Sequence, residues 1–145
     1  MAVNTRFATG VHAMVLLAAE PDTLQTSETI AARLETNPVV VRRVFSLLHH
    51  AGLVESHKGP SGGSKLARPA KQITLADIYK ALDTGDLFHT AQFSGEEATH
   101  TASALHQVFK NIERSLRDEL SKTTLSQIAK KATRKAAKAE SKKRK

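Results

Sequence analysis

Two adjacent arginines, Arg42 and Arg43, are the residues best suited to chemistry in this chain. They lie in a segment where Val41, Val44 and Leu48 recur at spacings of 3 and 4. That spacing predicts a helix that buries the three aliphatic side chains and projects Val39, Val40, Arg42, Arg43 and Ser46 outward. A guanidinium presents a fork of donors that matches guanine O6 and N7 in a major groove, or a pair of phosphate oxygens, and a valine fits a thymine methyl group. A solvated charged face is the alternative reading of the same two arginines.

A second group surrounds a glycine-rich tip, Lys58-Gly59-Pro60-Ser61-Gly62-Gly63-Ser64, between strand candidates Leu53–Ser56 and Lys65–Ala67. Gly62 and Gly63 permit a sharp turn and close approach to another surface. Lys58 and Lys65 flank them beside His57, which suits a hairpin lying along a duplex backbone or dipping into its minor groove. An ordinary flexible hairpin is the alternative. The tip is not a phosphate-gripping nucleotide loop, because the Lys-Ser/Thr ending and the strand-to-helix context are missing.

The elements that position these groups follow from periodicity and punctuation. Residues 5–19 read as an amphipathic helix with Phe7, Val11, Met14, Val15 and Ala18 inward, broken at Pro21-Asp22. Thr26 or Ser27 caps a helix from Glu28 to Glu35 with Ile30, Ala31 and Leu34 inside. Asn37 caps the arginine-bearing helix, Pro38 fits its first turn, and Gly52 closes it. Thr74 and Asp77 form a capping box for a helix ending at Leu82. A long helix spans roughly Ala98 to Leu120, and a short one starts at Thr124. The fold class expected is mainly α: a winged helix-turn-helix with a small β-hairpin wing, a long dimerisation helix and a disordered basic tail. The domains expected are 1–82 for DNA binding, 83–97 as linker, 98–129 for dimerisation with a short following helix, and 130–145 as a Lys/Ala-rich tail.

The long helix carries Ala98, Ala102, Leu105, Phe109, Ile112 and Leu116 at spacings of 4, 3, 4, 3 and 4, a heptad-like seam. It packs either on its own winged domain or on a second copy. A two-fold protein matches a two-fold site, so Ala102, Leu105, Phe109, Ile112 and Leu116 are the dimerisation residues expected.

Composition excludes several classes. The chain has 145 residues and no cysteine, so disulfides, thiolate zinc sites, cysteine redox switches and thiolate-held iron–sulfur clusters are out. The apolar run Val11–Ala19 is too short to span a bilayer, and no charged region with a cleavage site follows a secretion pattern. A cytoplasmic, nucleoid-associated protein without membrane contact is expected. The formal net charge is +8, and from Lys122 onward ten bases face one acid, Glu140. That tail attracts polyanions in a salt-dependent way. It resembles the Lys/Ala tails of nucleoid-associated and linker-histone proteins and is expected to raise non-specific DNA affinity while disordered or nascently helical. Idle solubilising charge is the alternative.

His89, Glu96, Glu97, His100 and His106 are metal-compatible donors, but His100 and His106 lack a one-face helical spacing, so exposed polar residues are the preferred reading and no metal or cofactor is expected. No nucleophile–base spacing or phosphate loop organises an enzyme. Protonation of His49, His50 and His57 near pH 6 is expected to tighten DNA binding.

The chain resembles the Rrf2-type transcriptional regulators. The likeness is carried by Arg6-Phe7-Ala8 through Ala18, Asn37-Pro38-Val39-Val40-Val41-Arg42-Arg43, Ala51-Gly52-Leu53-Val54, Lys58-Gly59-Pro60-Ser61-Gly62-Gly63, Leu66-Ala67 and Ile73-Thr74-Leu75-Ala76-Asp77-Ile78. It covers about residues 4–82 well and the long helix more loosely, and the cysteine-free form is most similar to the YwnA-like branch. The resemblance implies a homodimer that binds a palindromic operator in double-stranded DNA and usually represses. The Arg42 helix would enter the major groove and the wing the minor groove, while residues near Arg6 would touch the backbone. Many members sense iron, nitric oxide or oxidants through three cysteines in the segment matching Phe88–Ser103, where this chain has none, so that role is not carried over and any small-molecule effector stays unknown. The DNA-binding set expected is therefore Arg6, Val39, Val40, Arg42, Arg43, Lys58, Gly62, Gly63 and Lys65. An architectural DNA-binding protein with little sequence preference is the runner-up, and a protein adaptor is a third reading.

Overall fold

The computed structural model describes residues 3–82, 88 and 94–145. Most of the expected linker, His89 included, lies outside them. The helices are α1 (Val3–Ala19), α2 (Ser27–Leu34), α3 (Pro38–His50), α4 (Leu75–Leu82), α5 (Glu96–Leu120) and α6 (Leu125–Lys143). Strands β1 (Val54–His57) and β2 (Gly63–Leu66) follow α3, and a short 3-10 turn covers Ala70–Gln72. This is a winged helix-turn-helix followed by two further helices.

Local chemistry sets the ends. The Thr26 hydroxyl accepts from the Thr29 amide at 3.1 Å, and the Asn37 side chain accepts from the Val39 amide at 2.8 Å, so each satisfies an orphan donor at a helix start. Gly52 sits at φ +76, the left-handed conformation that ends a helix most easily in glycine. The Thr74–Asp77 box closes reciprocally at 2.9 and 3.1 Å. β1 runs one residue later than its sequence pattern suggests, and β2 starts two residues earlier and ends one earlier. They pair antiparallel, Val54 opposite Leu66 and His57 opposite Gly63. Gln25 bridges the other side of β2, exchanging amide–carbonyl bonds with Ser64 at 3.0 and 2.8 Å.

One core serves this assembly: Ala13, Met14, Leu17, Ile30, Ala31, Val41, Val44, Phe45, Leu48, Leu53, Val54, Ile73, Ile78, Leu82 and Leu125. The buried line of α1 is displaced from the expected one. Gly10, Ala13, Met14 and Leu17 are enclosed, while Phe7, Val11, Val15 and Ala18 border the core. The cause is that α1 is packed by α3, α4, α6 and β2 together, so two stripes are covered instead of one. A Cβ at Gly10 would lie 2.5 Å from Leu82 Cδ1, which shows how closely α4 crosses.

Two features of the C-terminal third depart from expectation. The final helix is 19 residues long and continues through the basic tail, which was expected to be disordered or only nascently helical. Its start carries a reciprocal Thr124–Gln127 capping box, and the following residues are mostly Ala, Lys, Arg and Gln, strong helix formers without Gly or Pro. Leu125 is fully buried, so α6 is rooted in the winged domain instead of standing apart with α5. By contrast, α5 contains no fully buried residue.

Candidate nucleic-acid interface

Helix α3 is amphipathic because its two faces meet different surroundings. Val41, Val44, Phe45 and Leu48 are buried against α1, α2 and α4. Val39 and Val40 stand 54% and 41% exposed, and Arg42, Arg43 and Ser46 are exposed beside them. With the arginines, the two exposed valines form one mixed apolar and cationic edge at the N-terminal half of α3. That composition suits base edges, where a methyl group lies beside hydrogen-bond acceptors.

Arg42 and Arg43 differ in what holds them. The Arg42 guanidinium donates to the carboxylate of Glu28, on the first turn of α2. This hydrogen bond, with the positive charge behind it, holds the Glu28 carboxyl below its ordinary value. Among the described residues Arg43 has no acidic partner. Sequence reasoning missed Glu28: an acid at a helix start reads as a complement to the helix dipole, and nothing local links it to a residue 14 positions on.

The wing is built tightly. A Cβ on Gly62 would fall 2.1 Å from the His57 carbonyl oxygen, and the Gly62 amide closes the turn onto Gly59 at 2.9 Å. Gly63 has φ +150, and a Cβ there would lie 2.9–3.0 Å from the Gln25 backbone. Both glycines are thus required by the hairpin and its bridge to Gln25, whatever else approaches the tip. Gln25 is in turn fixed by a donated bond to the Leu16 carbonyl at 3.0 Å and one accepted from Arg33 at 2.9 Å. Arg33 also pairs with Glu20 at 3.2 Å.

On the outer face of the hairpin, Glu55 sits opposite Lys65. The His57 ring bonds its carboxylate, and Lys65 Nζ approaches to 3.8 Å. The His57 hydrogen bond, aided by the Lys65 charge, holds the Glu55 carboxyl below its ordinary value. Lys65 is therefore partly neutralised, whereas Lys58 is exposed at the tip. Arg6 is half-buried and donates to the Leu82 carbonyl at 3.4 Å, where it caps the C-terminal end of α4. The structure thus brings Val39, Val40, Arg42 and Arg43 onto one edge, keeps Lys58 on the wing, and gives Arg6, Gly62, Gly63 and Lys65 internal partners or internal reasons.

Leu105, Val108 and Ile112 of α5 are exposed apolar residues at 43%, 51% and 43%, while Ala102, Phe109 and Leu116 are half-buried. Phe88 stacks on Phe109 with ring centres 4.4 Å apart. Val108 was not in the expected seam, and its exposure widens the apolar face. His49 Nδ1 lies 3.1 Å from the Val54 carbonyl, so one of the paired histidines links α3 to the wing.

Comparison with known proteins gives a consistent answer. The family described as "Rrf2: Iron-dependent Transcriptional regulator" matches residues 3–131. YwnA of Bacillus subtilis, named as a candidate HTH-type transcriptional regulator, is 32% identical over 130 residues, which cover 87% of this chain and 96% of that protein. The solved T. potens IscR has a TM-score of 0.65 at 26% identity, over 88% of this chain and 85% of that one. A candidate transcriptional regulator from Lactobacillus plantarum shares the fold with a TM-score of 0.77, over 97% of each chain at 20% identity. The iron in the family description finds no thiolate donors here, since the chain has no cysteine, and no three His, Asp or Glu side chains gather among the described residues. The donors present do not fit a thiolate-held cluster. Among the described residues no helix is long and apolar enough to cross a membrane.

Proposed function

The chain belongs to the Rrf2 family of DNA-binding transcriptional regulators, and from that premise we propose that it is a homodimeric, cytoplasmic repressor that reads a palindromic operator without an iron–sulfur cluster. The observation that carries the reading is the α3 edge, where Val39, Val40, Arg42 and Arg43 stand together outside an otherwise closed core. In this reading α3 enters the major groove, Arg42 and Arg43 meet guanine edges or phosphates, and the valines meet thymine methyl groups. Lys58 and Lys65 bring the wing to the backbone and minor groove, with Gly62 and Gly63 shaping it, and Arg6 lies near the backbone at the end of α4. Dimerisation uses α5 through Ala102, Leu105, Phe109, Ile112 and Leu116, which aligns two α3 helices with a two-fold site.

Selection from a random duplex library with the full-length protein at about 150 mM salt tests this reading. A two-fold motif that is lost when Arg42→Ala and Arg43→Ala are combined is the expected result. Tight binding without any enriched motif favours the second reading, an architectural DNA-binding protein. The concentration of charge in residues 130–145, nine bases against one acid, supports that alternative.

A further inference from the structure

We propose that α6 is a rigid, one-sided DNA arm that grips the duplex backbone beside the site read by α3. The inference rests on the DNA-binding reading above and goes beyond it by assigning a second contact surface.

The base of the arm is fixed. Leu125 is fully buried, and its amide donates to the Ile73 carbonyl at 2.8 Å. Thr124 bridges Thr74, and the Leu75 amide donates to the Thr123 carbonyl at 2.9 Å. Ile128 and Ala129 are half-buried where α6 lies on α1. Helix α6 therefore leaves the domain in a set direction, beside the C-terminal end of α1, where Val15, Ala18 and Ala19 share a groove with Ala129, Ala132 and Arg134. The chain beyond α1 runs to Gln25, which bridges the wing sheet.

Beyond Ala129 every side chain of α6 is exposed, yet the types are sorted by face. Ala132, Ala136 and Ala139 continue the line of Leu125, Ile128 and Ala129 at helical spacing. Lys131, Lys135, Lys138 and Lys142, at steps of 4, 3 and 4, share a neighbouring face, about 100° round the helix from the alanine line. They span about 17 Å along the axis, roughly half a turn of duplex. Residues 1–129 hold thirteen bases and thirteen acids, so the whole net charge of +8 belongs to the arm. A polyanion with regularly spaced charge on one side fits that stripe. A bilayer suits it poorly, because α6 beyond Ala129 has alanine as its only apolar residue, without the large apolar side chains that insert into lipid.

Two full-length variants test the arm. In the first, Lys131, Lys135, Lys138 and Lys142 are replaced by Gln, which keeps helix propensity. In the second, three lysines are rotated onto the alanine line by exchanging residues 131 with 132, 135 with 136 and 138 with 139, which keeps the charge. The probes are random-sequence duplexes, and duplexes carrying the selected motif, of about 20 and about 60 base pairs. At about 0.9 per phosphate, the Gln variant should lower the slope of log affinity against log salt by about 3 to 4 on the long duplexes. It should have little effect on the short motif duplex and leave the preferred sequence unchanged. The rotated variant should lose most of the same gain. A rotated variant with wild-type slope means an undirected polycation and overturns the arm, as does a Gln variant that binds long duplexes like wild type. Tighter wild-type binding to anionic vesicles or single-stranded RNA than to duplex also overturns it. If instead the winged-domain reading fails, motif and random duplexes bind alike while the Gln variant still loses slope, so the two failures are distinguishable.

Discussion

Replacing Leu125 with alanine probes the contact on which the direction of α6 depends. Leu125 is the single fully buried residue of α6, and it lies in the same apolar cluster as Met14, Leu17 and Ile73. Leucine-to-alanine changes at such sites cost about 2–5 kcal/mol, because transfer energy and a residual cavity add. Here one side of the site is a helix end that can shift inward, which favours the lower half of that range, about 3 kcal/mol. With an unfolding entropy of about 2.1 cal/mol/K per residue, a chain of this length loses about 10 °C in Tm. The assay is thermal unfolding followed by far-ultraviolet circular dichroism at fixed protein concentration, since the proposed dimerisation would make Tm concentration-dependent. Lys138→Ala, on the exposed part of the same helix, should stay within about 0.5 kcal/mol of wild type. If Leu125→Ala also stays within that margin, α6 is not docked as described and the fixed direction of the arm is refuted.

Gly63→Ala places a Cβ against the Gln25 backbone at a positive φ, and should cost about 2 kcal/mol or more in urea denaturation. Gly95→Ala, with nothing within 4 Å of the added carbon, should cost less, about 0.5–1 kcal/mol, because alanine is the poorer N-cap for α5. Glu28→Gln removes the charge paired with Arg42, and on the proposed DNA-reading role of Arg42 should weaken sequence discrimination while raising affinity for random duplex a few-fold, both read by competition binding. Because Glu28 is held below the ordinary carboxylate value of 4.5, its pairing contributes above that pH and is lost only as pH falls through the depressed value. Titration between pH 5.5 and 8 therefore leaves the pair intact. A change of DNA affinity within that window cannot come from this pair. If α5 forms the proposed dimer, Ile112→Glu, at an exposed apolar position of α5, should give a monomer in sedimentation experiments and weaken binding to a two-fold motif.

Much of the candidate interface was legible in the chain itself. The caps at Thr26, Asn37, Thr74 and Thr124, Pro38 at a first turn and Gly52 at a helix end are local signals, satisfied within a few residues. So is the spacing of Val41, Val44 and Leu48, which aims Arg42 and Arg43 outward without reference to any other element. These determined the order helix, turn, helix, hairpin, and the identity of the exposed α3 edge. The basic tail was legible as charge and not as shape: its composition fits either a disordered chain or a helix, and the capping box with a buried Leu125 favours the helix.

What tertiary structure alone decided are the pairings between residues distant in sequence. Glu28 meets Arg42 across the helix-turn-helix, and Gln25 bridges Ser64 and so requires glycine at position 63. Arg6 reaches the end of α4, and Leu125 returns to a core otherwise built from the first 82 residues. Periodicity reports which face of a segment seeks burial, but not which partner covers it. The partner is set by how several helices fill space together, because close packing and hydrogen-bond satisfaction are properties of the assembled core and of no single stretch of chain.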